Sequence, residues 1–360
     1  MTQNTPPSPL PAPPYAPAPA APPYAYPPPW WTPPKKKSFL RRWLKGVFIL
    51  LFILSVLLNI EIGAIIMSRG QEMASAVLEE GDKDQVVAVY EVGGVINDKA
   101  SQKFREFYRT VRDDKSIKAV CLRVNSPGGT VSASDQIHQM VLAIRQDLKR
   151  PVVVSMGGYA ASGGYYISAP ADEIYAEPTT ITGSIGVLAE WPVVKNLLDK
   201  IGVEIEVARS THAEQWKARE FDLTEKPDPA VRKRIQEMLD AMQDRFEQVV
   251  TDGRGKKLHF VKVPATMPGT NPSEAMEPFT GKTYLTQAAK DLGLVDQIGY
   301  LHDATKAAAQ SANLSNPRIV QYSIRVSLLS FLNVEDRGVR IDAAALDEIT
   351  TPRIMMLWKP

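Results

Sequence analysis

From Gln85 onward, apolar residues come in short unbroken runs separated by segments with a helical repeat. Val86-Val87-Ala88-Val89-Tyr90, Ile117 to Val124 and Val152-Val153-Val154-Ser155-Met156 each have the length and β-branched content of a buried strand. Glu173-Ile174-Tyr175-Ala176 and Val203 to Ala208 read as further strands. Between them, Ser101 to Asp113, Val131 to Leu148 and Val193 to Ile201 have helical periodicity, as do Pro229 to Val250 and Leu285 to Leu292, the last closed by Gly293. Strands that alternate with helices and lack a polar face predict an α/β fold whose sheet is covered by helices. After about residue 315 the pattern weakens, and 335–349 reads as a polar arm.

Upstream the pattern is of another kind. Gly46 to Met67 is almost continuously apolar, broken only by Ser55, Asn59 and Glu61 among polar residues. As a helix it would span about 33 Å, enough for a bilayer's hydrocarbon core. Six basic residues cluster between Lys35 and Lys45, so the N-terminus is expected in the cytoplasm and the body beyond the membrane. Ala74-Ser75-Ala76 offers a cleavage-like pattern, but the apolar stretch is too extended for a signal peptide, and an uncleaved anchor is expected. Residues 1–34 contain fifteen of the 29 prolines and no charge. Such a segment cannot bury a core, and it reads as a disordered tail of polyproline II character, with a Pro-motif-binding partner as its functional reading. Setting the basic cluster aside leaves 36 basic against 40 acidic residues, which gives no reason to expect nucleic acid. The single Cys121 excludes an internal disulfide and a Cys-rich metal site; within its strand it reads as a buried, inert thiol.

Candidate chemistry sits at two glycine-rich turns. Tyr159-Ala160-Ala161-Ser162-Gly163-Gly164 follows a strand and opens a helix, so Ser162 stands where little side-chain bulk obstructs a substrate, with the Gly163 amide free for a developing oxyanion. Asn125-Ser126-Pro127-Gly128-Gly129 also ends a strand, and its glycines can turn amides into a cleft. Adjacent strands would bring both turns to one sheet edge. None of His138, His212, His259 and His302 has the context of a base; His138 reads as a helix-surface residue, and His212 is the least dismissible. The alternative is a lysine kept neutral by burial. Candidates lie in Ser210-Thr211-His212-Ala213-Glu214-Gln215-Trp216-Lys217, where Trp216 could give Lys217 apolar cover.

NSPGG, the run from Val154 to Val187 through AASGG and TTITGSIGV, and the closing Gly293-Leu294-Val295-Asp296 together resemble the SppA family of signal peptide peptidases, peptidase family S49. The resemblance spans roughly 86–310. It implies a ClpP/crotonase-like fold of repeated strand–strand–helix units and a membrane-anchored serine protease that works by a Ser–Lys dyad. By position, Ser162 resembles the nucleophile, Gly128 or Gly129 with Gly163 the oxyanion hole, and Ser184 the hydroxyl that orients the base. At the lysine the chain departs from the family pattern: an ungapped reading from Ser210 puts Glu214 there, and three extra residues put Lys217 there. Lys217 is preferred, because a glutamate is a poor base in an apolar site. With Glu214 in that slot the chain would be an impaired homologue acting as a membrane scaffold. The organisation expected is a tail with its basic cluster over 1–45, a transmembrane helix over 46–67, a linker over 68–84, a peptidase domain over 85–315 and an extension over 316–360. The resemblance further implies released signal peptides or other short apolar peptides as substrates, a ring-shaped homo-oligomer, no cofactor and no metal.

Overall fold

The computed structural model describes residues 39–68, 73–213, 215–263, 276–324 and 353–358. The chain divides into two units, residues 1–69 and 70–360. In the first, α1 (Phe39–Ser68) is one continuous helix. Its stretch Trp43–Glu61 is long and apolar enough to cross a membrane. The proline-rich run over 1–34 lies outside the described residues.

The second unit runs in order β1 (Met73–Glu79), β2 (Asp82–Gly93), α2 (Asp98–Asp113), β3 (Ile117–Ser126), β4 (Gly128–Thr130), α3 (Val131–Gln146), β5 (Val152–Ala161) and α4 (Gly163–Ser168). It continues with β6 (Glu173–Ala176), β7 (Ile181–Gly183), β8 (Leu188–Glu190), α5 (Lys195–Ile201) and α6 (Pro229–Arg254). It closes with β9 (Val261–Lys262), β10 (Met276–Glu277), β11 (Thr283–Leu285), α7 (Thr286–Asp291), β12 (Gln297–Ile298), α8 (Leu301–Ser311), β13 (Pro317–Ile324) and β14 (Arg353–Leu357). Strands β13, β2, β3, β5, β6 and β12 lie side by side in parallel, with β1 antiparallel on the outer edge of β13.

Both faces of this sheet are buried, which is why its strands read as unbroken apolar runs. Along β2, Val86, Ala88, Tyr90 and Val92 face the main core, and Val87 and Val89 face a smaller one. The main core takes Phe104 and Phe107 from α2, Ile137 and Val141 from α3, Tyr165 and Tyr166 from α4, and Phe246 and Val250 from α6. The smaller core lies under α8, whose Ala304, Ala307 and Ala308 meet Ala119, Cys121 and Val153. Burial pushes the Cys121 thiol up to about 12, as suits an inert filler. The helices begin where capping chemistry allows. The side chain of Asn97 accepts from Ala100 N at 3.1 Å, and that of Asp228 accepts from Ala230 and Val231 at 2.8 and 2.9 Å just before Pro229.

Three sequence expectations change. The stretch over 68–84 read as linker contains β1 and the start of β2, and the extension over 316–360 supplies β13 and β14. The strand expected at 203–208 does not form; Val203, Ile205 and Val207 are exposed without ladder partners, after an α5 that buries no residue. Apolar alternation alone did not suffice there, because among the described residues no strand lies alongside to receive it.

One buried ion pair fastens the end of α6 to the sheet. Arg254, its side chain wholly enclosed, donates to both Asp296 oxygens at 2.9 and 2.8 Å and to the Gly293 carbonyl at 3.0 Å. Asp296 in turn accepts from Ile174 N of β6 at 2.8 Å. Burial alone would raise the Asp296 carboxyl, but Arg254, then Lys257 and the Ile174 amide, outweigh it and hold the group below the usual carboxylate value. A depressed carboxylate stabilises the fold above its unfolded value of about 3.9, and that contribution is lost as pH falls through the folded value. Asp296→Asn is expected to destabilise the protein at pH 7 by about 3 kcal/mol, the scale for breaking a buried pair. Denaturant titrations should show the gap to wild type closing below about pH 4.

Candidate active site

The turn after β5 is built so that one side chain stands clear of the regular backbone. Ser162 has φ 54° and ψ −116°, a left-handed conformation that a non-glycine residue adopts only when its surroundings hold it there. Its N–H donates to the Gly183 carbonyl at 2.8 Å, and its own carbonyl accepts the first helical bond of α4, from Tyr166 N at 2.9 Å. The Gly183 contact follows from the parallel pairing of β7 with the end of β5, Ala161 opposite Gly183. Threonines of the run 179–182 brace that pairing: Thr182 Oγ1 donates to the Ala160 carbonyl at 2.7 Å and Thr180 Oγ1 to the Gly157 carbonyl at 2.6 Å. The α4 helix is anchored by its two tyrosines, Tyr165 to the Leu294 carbonyl at 3.0 Å and Tyr166 to Asp135 at 2.6 Å.

The NSPGG turn meets this one across β3 and β5. Ser126 shapes it: its hydroxyl donates to the Gly94 carbonyl at 2.6 Å and accepts from Gly128 N at 3.1 Å. Gly128 takes φ +104°. A methyl at Gly128 would strike the Met356 carbonyl and lie 2.7 Å from the Gly163 nitrogen. One on Gly163 would lie 3.1 Å from the Gly129 nitrogen and 2.5 Å from Ser134 Oγ. Gly128, Gly129 and Gly163 therefore share one cradle in which no Cβ fits. Gly163 opens α4, so its amide has no acceptor within that helix. Ser162 Oγ is buried beside them and has no hydrogen-bond partner, and Ser134 Oγ is in the same state.

Ser184 follows Gly183 directly, with φ 51° and its N–H on the Lys282 carbonyl at 2.8 Å, so the register that fixes Ser162 also brings Ser184 to the site. Lys217 is not joined to Ser162 within one copy of the chain. It is exposed, as is Trp216, which was expected to shield it, and Glu214 lies outside the described residues. The segment around it is held by few contacts, among them Arg209 Nε on the Lys217 carbonyl at 2.6 Å. Its apolar side chains Leu197, Ile201, Ile205 and Val207 face outward. The nearby Lys282 ammonium is turned to Glu277 at 2.7 Å. No histidine reaches Ser162 Oγ. His138, expected on the helix surface, is instead buried edge-on against the Tyr166 ring, and burial lowers its imidazole to about 4. His259 meets the Asp291 carbonyl, and His302 meets Glu79.

A strained serine facing glycine amides at the carboxyl ends of parallel strands is the arrangement of an acyl-transfer site. The model for Peptidase family S49 matches residues 144–315, and that for Clp protease matches 70–180. A protein of Enterococcus faecium provisionally named signal peptide peptidase SppA is 32% identical over 262 residues, covering 70% of this chain and 71% of its own. The chain belongs to peptidase family S49, the SppA family. It is a serine protease with a ClpP-like fold. The family also includes Protease 4 of Haemophilus influenzae, 36% identical over 269 residues, of whose length this chain spans 40%. Serine protease SPPA, chloroplastic, of Arabidopsis thaliana is 30% identical over 246 residues, 65% of this chain and 33% of that protein.

Sequence reasoning missed three participants in the site. Ser126 carries a signal within NSPGG, a hydroxyl between a strand end and two glycines. Ser134 lies one turn into α3 and looks like any small helical residue. Strand β14, which lies on β4, is separated from the rest of the sheet by a long stretch of chain and has no local pattern that announces its partner.

Gly128→Ala would put a methyl against the Gly163 amide. It is expected to lower kcat/KM on a peptide substrate by about a hundredfold or more, the scale of losing an oxyanion donor, with the circular dichroism spectrum unchanged. Full activity in that variant would place the cradle elsewhere.

Proposed function

We propose that this S49 protease is a membrane-anchored endopeptidase that cleaves released signal peptides or other short apolar peptides on the far side of the cytoplasmic membrane. Ser162 is the nucleophile. Its backbone strain, its buried and unpartnered hydroxyl and the adjacent glycine amides together carry the reading. The hydroxyl attacks the peptide carbonyl, the amides of Gly163 and of Gly128 or Gly129 hold the oxyanion, and water resolves the acyl-enzyme. The base is Lys217, which takes the Ser162 proton and returns it to the leaving amine, with Ser184 orienting it.

Lys217 reaches Ser162 in an assembly of copies. The segment that carries it exposes Leu197, Ile201, Ile205 and Val207, apolar surface that a neighbouring copy would cover while presenting Lys217 to the next serine. Such a head-to-tail contact closes into a ring when its rotation allows. Burial in that interface would strip water from the ammonium and favour the neutral amine. Helix α1 supplies the anchor, and the basic cluster before it keeps the N-terminus on the cytoplasmic side, where the proline-rich tail can meet a Pro-recognising partner.

Two experiments test this reading. A fluorophosphonate probe should label the full-length protein in detergent, and Ser162→Ala should abolish labelling; no labelling of the wild type would favour the non-catalytic scaffold. Lys217→Ala should cut hydrolysis of an apolar peptide at least about a thousandfold, as loss of a dyad partner does, while gel filtration shows the same oligomer. Undiminished hydrolysis would move the base elsewhere.

A further inference from the structure

Among the described residues, two serine hydroxyls are buried without a hydrogen-bond partner, those of Ser162 and Ser134. Ser162 has the role of nucleophile, whereas the hydroxyl of Ser134 has no part in the scheme of nucleophile, amides and base. Four other buried serines are bonded. Ser101 Oγ donates to Gln136 Oε1 at 2.7 Å, Ser126 Oγ to the Gly94 carbonyl at 2.6 Å and Ser168 Oγ to the Gly164 carbonyl at 2.7 Å. Ser155 Oγ accepts from Arg123 at 3.0 Å. A helical serine can turn its hydroxyl back to the carbonyl four residues earlier, as Ser168 does. Ser134, wholly enclosed on the buried face of α3, does not.

The place of that hydroxyl is set by the junction of two helices. Thr130 caps α3, its side chain accepting from Ala133 N at 3.4 Å, so Ser134 follows one turn in. Beside it, Asp135 accepts from Tyr166 of α4 at 2.6 Å and from Arg245 of α6 at 3.2 Å. These bonds pin α3 against α4 at the turn that carries Gly163. A Cβ on Gly163 would lie 2.5 Å from Ser134 Oγ and 3.1 Å from the Gly129 nitrogen, and one on Gly128 would lie 2.7 Å from the Gly163 nitrogen. The Ser134 hydroxyl thus borders the same small space as the amides assigned to the oxyanion. Helix α3 begins there too, and the positive end of its dipole favours negative charge at that spot.

Leaving a buried hydroxyl unmet costs stability, and a methyl in its place would leave nothing unmet. The oxygen therefore contributes nothing to the resting fold. It gains a partner when charge develops on an oxygen in the cradle, where a donor already in place and shielded from water acts most strongly. We propose that Ser134 is a third donor to the oxyanion, a catalytic hydroxyl that hydrogen-bonds the oxygen of the tetrahedral intermediate beside the amides of Gly163 and of Gly128 or Gly129. It keeps its own proton throughout. This rests on the assignment of Ser162 and its cradle. A bond made only in the transition state raises kcat and leaves KM alone.

The test compares full-length Ser134→Ala with the wild type in detergent on a fluorogenic apolar peptide. The variant's kcat should fall about a hundredfold, the scale of losing one oxyanion donor, with KM within about twofold. Its thermal midpoint should be equal or higher, because the unmet hydroxyl has gone. A peptide aldehyde, which forms a hemiacetal with the Ser162 hydroxyl, should bind the variant more weakly by the same factor as the loss in kcat/KM. The corresponding peptide alcohol, which forms none, should bind both proteins equally. An unchanged kcat, a loss confined to KM, or a lowered midpoint would overturn the proposal. Hydrolysis that survives Ser162→Ala would instead remove the assignment of the nucleophile, so the two failures are told apart.

Discussion

The amide of Ser162 held on the carbonyl of Gly183 is the contact on which the site depends. It ties the last residue before α4 to the end of β7 and so keeps Ser162 in a left-handed turn it would not otherwise adopt. The same strand end delivers Ser184, and the threonine hydroxyls at 180 and 182 hold β7 to β5 so that neither serine can drift. Behind the turn, the hydroxyls of Tyr165 and Tyr166 are satisfied within the body of the fold, and α4 cannot slide along its axis to relieve the strain. The posture of Ser162 is therefore a property of a parallel sheet with both faces filled, far more than of the few residues around it.

How much of this could be read beforehand varied with the range of the interactions involved. β2, β3 and β5 announce themselves because burial on both faces writes an unbroken apolar run, such as Val152-Val153-Val154, into the local sequence. Ser162 and the two glycine turns are also legible, since a close backbone approach leaves only glycine as a choice. β1 and β13 were hidden because they lie toward the sheet's edge, where one side is half wet and the chain reads as linker. β14 was hidden for a different reason: five residues carry no periodicity, and both partner strands, β4 and β8, lie far earlier in the chain. His138 was misjudged because its helix is amphipathic with a wide buried face, and position within the turn decides between solvent and Tyr166. The surroundings of Lys217, the residue proposed as base, were the least legible of all. The segment from 191 to 228 buries little within one chain, so neither its strand-like alternation nor its lysine has a local environment to be read from.

The body of the protease thus has parts of unequal rigidity. Around the sheet, side chains interlock and polar groups find partners, as with Arg254 and Asp296 beneath α6. Around Lys217 the chain turns on itself with exposed apolar side chains and few bonds. Segments of that kind open at low free-energy cost. A dyad built from one member of each class would be assembled only when something else orders the looser part.

Strand β4 is three residues long, and it is braced on one side by Ile96, which exchanges hydrogen bonds with Gly128 and Thr130 at 2.8 Å. Its other edge is taken by β14, which completes a three-stranded ribbon with β8. The cradle is thus shaped by two backbones distant in the sequence, and neither alone supplies the whole ribbon. A proline opposite Gly129, where Met356 stands, would leave a rung missing, so what lies along that edge is decided by main-chain bonding before any side chain is consulted.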